Sequence, residues 1–168
     1  AQDVTFSEAE RATILRFGPW PPQPIKDASN RVSGDENAIR LGERLFNDPR
    51  LSPSGRVACA SCHQPAQAFA DGHPVAVGAA KGVRNTPSLL DIGFSRWFGW
   101  AGANDTLWGA SIRPITAAAE MASAAEHVQA LVLEDTKLGS SFAETFDENA
   151  AEMSAEPTLV AVGKALAA

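Results

Sequence analysis

The sequence predicts an all-α domain whose helices are joined by long loops rich in glycine and proline. Helix signals recur along the chain, whereas strand signals do not. Residues 64–103 carry no helix signal and are punctuated by Gly and Pro. At 168 residues, 45% of them hydrophobic and 20% charged, the chain can bury one core but hardly two. We therefore expect a single domain around a single core.

Six helical segments follow from apolar residues at helical spacing, and they are predicted at residues 8–17, 35–47, 104–114, 124–135, 142–148 and from Pro157 onward. Gly18 closes the first segment and Pro114 the third, because glycine and proline commonly end helices. Capping boxes, in which a serine is followed three residues later by a glutamate, support four of the starts: Ser7 with Glu10, Ser33 with Glu36, Ser123 with Glu126 and Ser141 with Glu144.

Residues 59–63 read Cys-Ala-Ser-Cys-His, which is the C-x-x-C-H signature of c-type haem attachment. On a short helical turn, positions i, i+3 and i+4 place both sulfurs and the imidazole on one face. Cys59 and Cys62 can then each bond one vinyl group of a porphyrin, while His63 ligates the iron. The motif therefore predicts a c-type cytochrome domain with one covalently bound haem.

Two other interpretations of the cysteine pair need features that the sequence lacks. A thioredoxin-like redox pair would accompany a βαβ pattern, and none is found. A structural zinc site would need a second ligand pair at short spacing, and the remaining histidines, His73 and His127, do not form one. Since both cysteines are assigned to haem, no disulfide is expected.

The long loops fit a domain that wraps a cofactor. The segment from Gly18 to Pro24 contains four prolines and is expected to be an extended polyproline strap on the surface. Residues 64–103 form a loop region of a length that is unusual in a compact domain unless it surrounds something. A haem is large and apolar enough to fill that role.

Charge and targeting signals narrow the compartment and the partners. The net charge is −6, and residues 86–168 hold four Lys or Arg against eleven Asp or Glu, so no nucleic-acid partner is expected. The acidic half is either a solvated face or a docking surface for a basic electron-transfer partner. No apolar run reaches the length of a membrane span. Because c-type haem is attached outside the bacterial inner membrane, and residues 1–4 show no signal-peptide pattern, we expect a mature periplasmic protein.

Four motifs in order along residues 35–125 resemble the N-terminal haem domain of the bacterial di-haem cytochrome c peroxidases, a superfamily that includes the MauG-type enzymes. They are Leu-Gly-Glu-Arg-Leu-Phe-Asn-Asp-Pro-Arg-Leu-Ser at 41–52, the C-x-x-C-H motif, Arg-Asn-Thr-Pro-Ser-Leu-Leu at 84–90, and Pro114 followed by Glu120-Met121. Each motif alone is weak, but the ordered set is specific. The resemblance implies an all-α haem domain that reacts with hydrogen peroxide.

The resemblance also implies roles for individual residues around the iron. His63 resembles the proximal ligand of the peroxide-reacting haem, and Glu120 resembles the distal acid that moves a proton between the two oxygens of bound peroxide. A carboxylate within hydrogen-bond reach can both accept and donate that proton. The alternative is that Glu120 is a surface acid at the end of a loop. Pro114 would crowd the distal face.

Two further residues resemble family positions between the two haems. Trp100 resembles the tryptophan that relays electrons, although indole is equally suited to core packing. Asn85 resembles a ligand of the calcium ion found between the two haem domains, and its alternative is a turn residue beside Thr86-Pro87.

Three departures from the family pattern concern the distal side and the bridge. Ala79 stands sixteen residues beyond His63, where many of these peroxidases carry a removable distal histidine, so the iron is expected to be open without reductive activation. Ala110 stands where the family carries a distal glutamine, which leaves Glu120 without its usual neighbour. Residues 101–103 read Ala-Gly-Ala in place of Asp-Gly-Arg.

The resemblance divides the chain into an N-terminal helix and strap (1–34), a haem domain (35–156) and the start of a helix leading to a second haem domain (157–168). The implied function is reduction of hydrogen peroxide with electrons from a small electron-transfer protein or an oxidisable protein substrate. The competing function is a mono-haem electron carrier. A carrier would need a sixth iron ligand, for which the candidates are Met121, Met153, His73 and His127.

Overall fold

The computed structural model describes residues 5–18 and 27–168. In these two ranges the chain forms helices and turns, and the only extended pairings are three isolated β-bridges. The α-helices are α1 (Glu8–Leu15), α2 (Glu36–Phe46), α3 (Cys59–Cys62), α4 (Leu107–Thr116), α5 (Ala125–Glu134), α6 (Thr136–Phe146) and α7 (Ala155–Leu166). The predicted all-α class is confirmed.

Helix starts follow aspartate caps as well as serine caps. The Ser7–Glu10 capping box is confirmed, since the serine Oγ accepts from the Glu10 N–H and the glutamate accepts from the Ser7 N–H. The Ser33–Glu36 box is wrong, because Asp35 directly precedes α2 and its carboxylate accepts from the N–H groups of the first turn.

The last two predicted capping boxes are also wrong. Helix α5 begins after Ala124, which has no capping side chain. Ser141 lies inside α6, which begins at Thr136 rather than at residue 142. The reason is Asp135, whose Oδ1 accepts from the N–H groups of Lys137 and Leu138 at 3.0 Å each and so starts the helix six residues earlier.

Pro114 lies inside α4 rather than at its end, so the predicted stop at this residue is wrong. Proline cannot donate the helical hydrogen bond, but the helix continues to Thr116 and closes when the Ala117 N–H donates to the Arg113 carbonyl at 3.0 Å. Ile115, which follows the proline, is completely buried in the core. Burial of this side chain offsets the lost backbone bond.

Helix α7 lies at the centre of the fold and packs against α2, α4 and α5. Two glycines allow the close approach. A Cβ on Gly163 would lie 2.9 Å from the carbonyl oxygen of Trp108 in α4, and a Cβ on Gly42 of α2 would overlap the carbonyl of Ala165. Leu159 and Val162 of α7 belong to the same core as Leu41 and Leu45 of α2.

The N-terminal segment has two parts with different burial. Helix α1 has no buried residue, and Phe17 beyond it is 86% exposed. Two residues further along the chain, by contrast, attach to the packed body: Val32 is buried in the core, and the buried Asn30 side chain donates to the Lys164 carbonyl at 3.0 Å. The expected polyproline strap lies mostly outside the described residues. The boundaries at residues 34 and 156 stay predictions, and side chains from both sides of each enter one core.

Residues 64–103 are mostly loop, as expected, with short 3-10 turns at Pro65–Gln67 and Ile92–Phe94. Buried Asp71 fastens the loop region, because its carboxylate accepts from the Thr86 hydroxyl at 2.8 Å and from the His73 N–H at 3.0 Å. Several apolar side chains of this region are exposed, namely Val77, Val83, Leu90, Trp97 and Trp100.

None of the helices described is both long and apolar enough to cross a lipid bilayer. The longest, α7, has twelve residues.

Candidate active site

Helix α3 is a single turn that carries the three residues of the C-x-x-C-H motif. The His63 N–H donates to the Cys59 carbonyl at 2.9 Å, so the histidine ends the turn that the first cysteine begins. The Ser61 hydroxyl accepts from the Ala58 N–H at 3.0 Å and closes the start of the turn. The spacing therefore folds as the sequence predicted, on one short helical turn.

The His63 ring is oriented by the main chain. Its Nδ1 lies 2.9 Å from the Phe69 carbonyl oxygen, an acceptor that fixes the proton on Nδ1 and leaves Nε2 free to act as a ligand. Residues Ala68 and Phe69 both have positive φ, and this turn brings the Phe69 carbonyl back to the Nδ1 of the ring. The ring also packs near Phe46, with centroids 6.3 Å apart. An imidazole held in this way points its free Nε2 in a single direction.

The two thiols are held as neutral groups by burial. Burial raises the pKa of the Cys59 thiol to about 11, and Cys59 packs against the hydrophobic core. Burial first, and then the charge on Asp71, raises the pKa of the Cys62 thiol, with a smaller contribution from Glu120. A catalytic redox pair needs a low thiol pKa, so this environment disfavours that interpretation. Across residues 5–18 and 27–168, no group of three or more His, Cys, Asp or Glu side chains could hold a metal ion.

A cavity of about 370 Å³ opens beside Cys62. Asp71, His73 and Lys81 line it together with Val75 and Val77 from the loop region. Neither Cys59 nor His63 lines this cavity, so the cavity borders only the Cys62 side of the motif. The loop region and the C-x-x-C-H turn thus face each other.

Glu120 is fixed at the main chain by the loop region. Its carbonyl accepts from the Ala79 N–H at 2.7 Å, and the neighbouring Ala119 carbonyl accepts from the Ala80 N–H at 3.1 Å. A Cβ on Gly78 would overlap the Glu120 carbonyl, so only glycine allows this approach. Ala79, the position at which the resemblance implies a distal histidine in other members of the family, is therefore hydrogen-bonded to the Glu120 backbone.

Pro114 and Glu120 are brought together by a tight turn after α4. The Met121 N–H donates to the Pro114 carbonyl at 3.0 Å, and the Glu120 N–H donates to the Ala117 carbonyl at 2.9 Å. The Glu120 carboxylate is 40% exposed and lies 2.8 Å from the Nη2 of Arg113. Glu120 is therefore a half-buried, paired acid.

Trp100 and Asn85 form a second group at the edge of the site. The Trp100 Nε1–H donates to the Asn85 backbone carbonyl at 2.9 Å, and the indole is 57% exposed. An indole this exposed is not core packing. Asn85 also lines an open pocket together with Pro74, Val83, Arg84 and Trp100, and its role as a calcium ligand stays a prediction.

The candidate sixth ligands of a carrier are mostly committed elsewhere. Met121 is 3% exposed and belongs to the hydrophobic core, and Met153 packs against that core. The Nε2 of His127 lies 2.8 Å from the Arg50 carbonyl oxygen, so this nitrogen is already paired with the main chain. His73 alone of the four lines the cavity beside Cys62.

Sequence reasoning missed three contributors to this geometry. The Phe69 carbonyl has no sequence signal, since any residue carries one. The Gly78 approach to Glu120 was signalled only by a glycine in a long loop. Arg113 could have been found as the only basic residue in α4 directly before the proline.

A helical domain with these features belongs to the class of c-type cytochrome domains. Its structural neighbours agree: a MauG-like protein associated with microbial copper homeostasis superposes with a TM-score of 0.72 at 33% identity, over 89% of this chain and 46% of that one. The diheme peroxidase BthA from Burkholderia thailandensis superposes with a TM-score of 0.71 at 26% identity, over 86% of this chain and 40% of that one.

The family model for di-haem cytochrome c peroxidase matches residues 36–168, so the chain belongs to that family. Among curated relatives, the methylamine utilization protein MauG of Methylorubrum extorquens is 42% identical over 49% of this chain and 24% of its own length. Cytochrome c551 peroxidase of Pseudomonas aeruginosa is 34% identical over 71% of this chain and 34% of its own length. The chain thus spans about a quarter to a third of the length of these relatives. The cofactor of the family is haem c.

Proposed function

We propose that this chain is the peroxide-reacting haem domain of a di-haem cytochrome c peroxidase or MauG-like oxidoreductase. Cys59 and Cys62 would hold one haem c, and His63 Nε2 would ligate its iron. The observation that carries the proposal is the Glu120 segment, whose backbone is bonded to the loop that faces Cys62 and whose carboxylate is half-exposed. A carboxylate held in that way can serve as an acid–base group.

The protein's own residues have distinct parts in this proposal. When bound, haem iron supplies the site at which the oxygen–oxygen bond of peroxide is cleaved. Each peroxide takes up two electrons and two protons and leaves as two waters. Glu120 accepts a proton from one peroxide oxygen and delivers it to the departing one, while Pro114 limits the space beside it. The Phe69 carbonyl keeps His63 oriented throughout.

The electrons are proposed to come from outside this domain. Trp100, exposed and anchored to Asn85, is the side chain proposed to pass them between this haem and a second haem domain, which itself is supplied by a small electron-transfer protein or an oxidisable protein substrate. Support comes from the di-haem nature of the family. The periplasm is the proposed compartment. Asn85 is proposed as one oxygen ligand of a calcium ion at the interface with the second haem domain, and the other oxygen ligands would come from groups beyond its present neighbours.

The test is the reaction of haem-loaded protein with hydrogen peroxide, followed by stopped-flow absorbance. Glu120→Gln is expected to slow the reaction by about a hundredfold or more, the usual size of an acid–base contribution. Glu126→Gln is the matched control, because Glu126 is an exposed glutamate outside the site. Equal rates for both variants and the parent protein would return Glu120 to the role of a surface acid.

The electron-carrier alternative has its own spectroscopic signature. Ferric high-spin iron that binds cyanide is expected here, because Met121 and Met153 are held by the core. Low-spin ferric iron that is inert to cyanide and peroxide would favour a carrier. His73→Ala would then show whether His73 is the ligand.

A further inference from the structure

Arg113 contacts the carboxylate of Glu120, which is the part of this residue that no backbone hydrogen bond fixes. The backbone of residues 119–121 is fixed by hydrogen bonds to Pro114, Ala117 and the 79–80 loop. A glutamate side chain still has three rotatable bonds, so a fixed backbone does not fix the carboxylate. The contact made by the Glu120 carboxylate is with the Arg113 guanidinium at 2.8 Å.

The position of Arg113 on α4 brings its guanidinium within reach of the Glu120 carboxylate across one turn. Arg113 directly precedes Pro114, and its own carbonyl accepts the N–H of Ala117 in the turn that leads to Glu120. The guanidinium and the carboxylate are therefore attached to the two arms of one closed turn. A planar guanidinium also sets the direction of its partner better than an ammonium, because its N–H groups form a fixed fork.

We propose that Arg113 is a positioning residue for Glu120. In this chain its guanidinium would take the place of the distal glutamine as the polar partner of Glu120, because position 110 is alanine. This inference rests on the proposed function. The pair is 58% exposed at Arg113 and 40% exposed at Glu120, and ion pairs this exposed contribute little to stability. The expected role is thus orientation: Arg113 increases the fraction of time that the carboxylate spends in the productive position.

This role predicts a separation between stability and reactivity. Arg113→Ala is expected to leave Tm nearly unchanged and to slow the reaction with peroxide by about ten- to a hundredfold, the range in which misplacement of a catalytic group is felt. Arg113→Lys keeps a cation without the fork and is expected to have an intermediate rate. In a Glu120→Gln background, Arg113→Ala should slow the reaction no further, because the two residues act as one unit.

The experiment uses the haem-loaded protein and two readouts. The first is the stopped-flow rate with peroxide. The second is the C–O stretching frequency of the ferrous carbon monoxide complex, which reports the polar groups near bound ligand without any turnover. Arg40→Ala is the control, since Arg40 forms a more exposed ion pair with Glu36 at 3.5 Å on α2, away from the site. Arg113→Ala and Glu120→Gln should both shift the frequency, and Arg40→Ala should not.

The outcomes separate this inference from the proposed function. If Glu120→Gln changes both readouts but Arg113→Ala behaves like Arg40→Ala, Glu120 is the acid and the inference about Arg113 is overturned. If Glu120→Gln changes neither readout, both fail together. If Arg113→Ala and Arg113→Lys lose rate equally, and the loss adds to that of Glu120→Gln, Arg113 acts through packing and the positioning role is overturned.

Discussion

Asp135, away from the candidate site, is an aspartate whose two carboxylate oxygens bond to three separate elements. Its Oδ1 caps α6, and its Oδ2 lies 2.9 Å from the guanidinium nitrogens of both Arg44 and Arg50. The backbone N–H of Leu138 first, and then Arg50, hold the pKa of this carboxyl well below its usual range. The charge of Asp135 therefore joins α2, the turn at Pro49–Leu51 and the start of α6.

The lowered pKa gives a testable pH dependence. A carboxyl whose pKa is lower in the folded than in the unfolded state stabilises the fold above the unfolded value of about 4, and this contribution is lost as the pH falls through the folded value. Asp135→Asn, which retains a capping oxygen but not the charge, should lower Tm by a few degrees at pH 7 and by less at pH 3. Thermal unfolding between these pH values checks this. Glu36→Gln, which removes an exposed pair, should show no such trend.

Attachment of haem through two sulfurs is a second prediction at this scale. The wild-type protein should keep its haem after denaturation and acidified organic extraction, because two thioether bonds hold it. Cys59→Ala should retain a single linkage through Cys62, seen as a weaker haem signal on a denaturing gel. Haem that extracts from the wild-type protein into the organic phase would contradict the assignment of the motif.

Side-chain chemistry at the candidate site was accessible from the sequence, but its main-chain partners were not. Cys59, Cys62, His63 and Glu120 carry distinctive functional groups at distinctive spacing. The Phe69 carbonyl that orients His63 depends on two successive residues with positive φ, neither of which is glycine. Such a backbone is imposed by the surrounding loop and has no local sequence signal.

At the scale of elements, α7 shows how small residues set helix positions. A side chain at Gly42 would meet backbone atoms of α7, and one at Gly163 would meet both the Ile112 side chain and the Trp108 carbonyl of α4. If α2 or α4 moved away from α7, the buried side chains Leu159 and Val162 of α7 would lose their packing in the core. The two glycines therefore fix the distances from α7 to α2 and α4.

Gly42→Ala tests this constraint. The added methyl would overlap the Ala165 carbonyl, so the free energy of unfolding should fall by about 1–3 kcal/mol, as in other overpacked cores. Gly93→Ala is the control, because open space surrounds that position. Denaturant unfolding of both variants gives the comparison, and equal stabilities would show that α2 and α7 can shift apart freely.

Helix existence was predictable from periodicity, whereas two of the boundaries were not. Helix α6 begins before Ser141 because its N-cap residue is Asp135 rather than Ser141. Helix α4 continues past Pro114 because Ile115 gains more from burial than the backbone loses. In both cases a tertiary or capping interaction outweighed the local rule that the sequence pattern expresses.

At the scale of the whole molecule, the described residues divide into a packed body and an N-terminal helix that contributes nothing to its core. Removal of residues 1–18 should therefore leave Tm unchanged within error, since α1 buries no side chain. Thermal unfolding of the shortened protein checks this. A clear loss of Tm would mean that α1 contributes to the packed body.

The central position of α7 also sets an order of events during folding. Its partners α2, α4 and α5 precede it in the chain, but the core they share stays incomplete until α7 joins them. Contacts between segments so distant in sequence form late and slowly. The C-x-x-C-H turn therefore lies on an incomplete fold until α7 docks, and in that interval the proposed haem attachment would meet little obstruction at either sulfur.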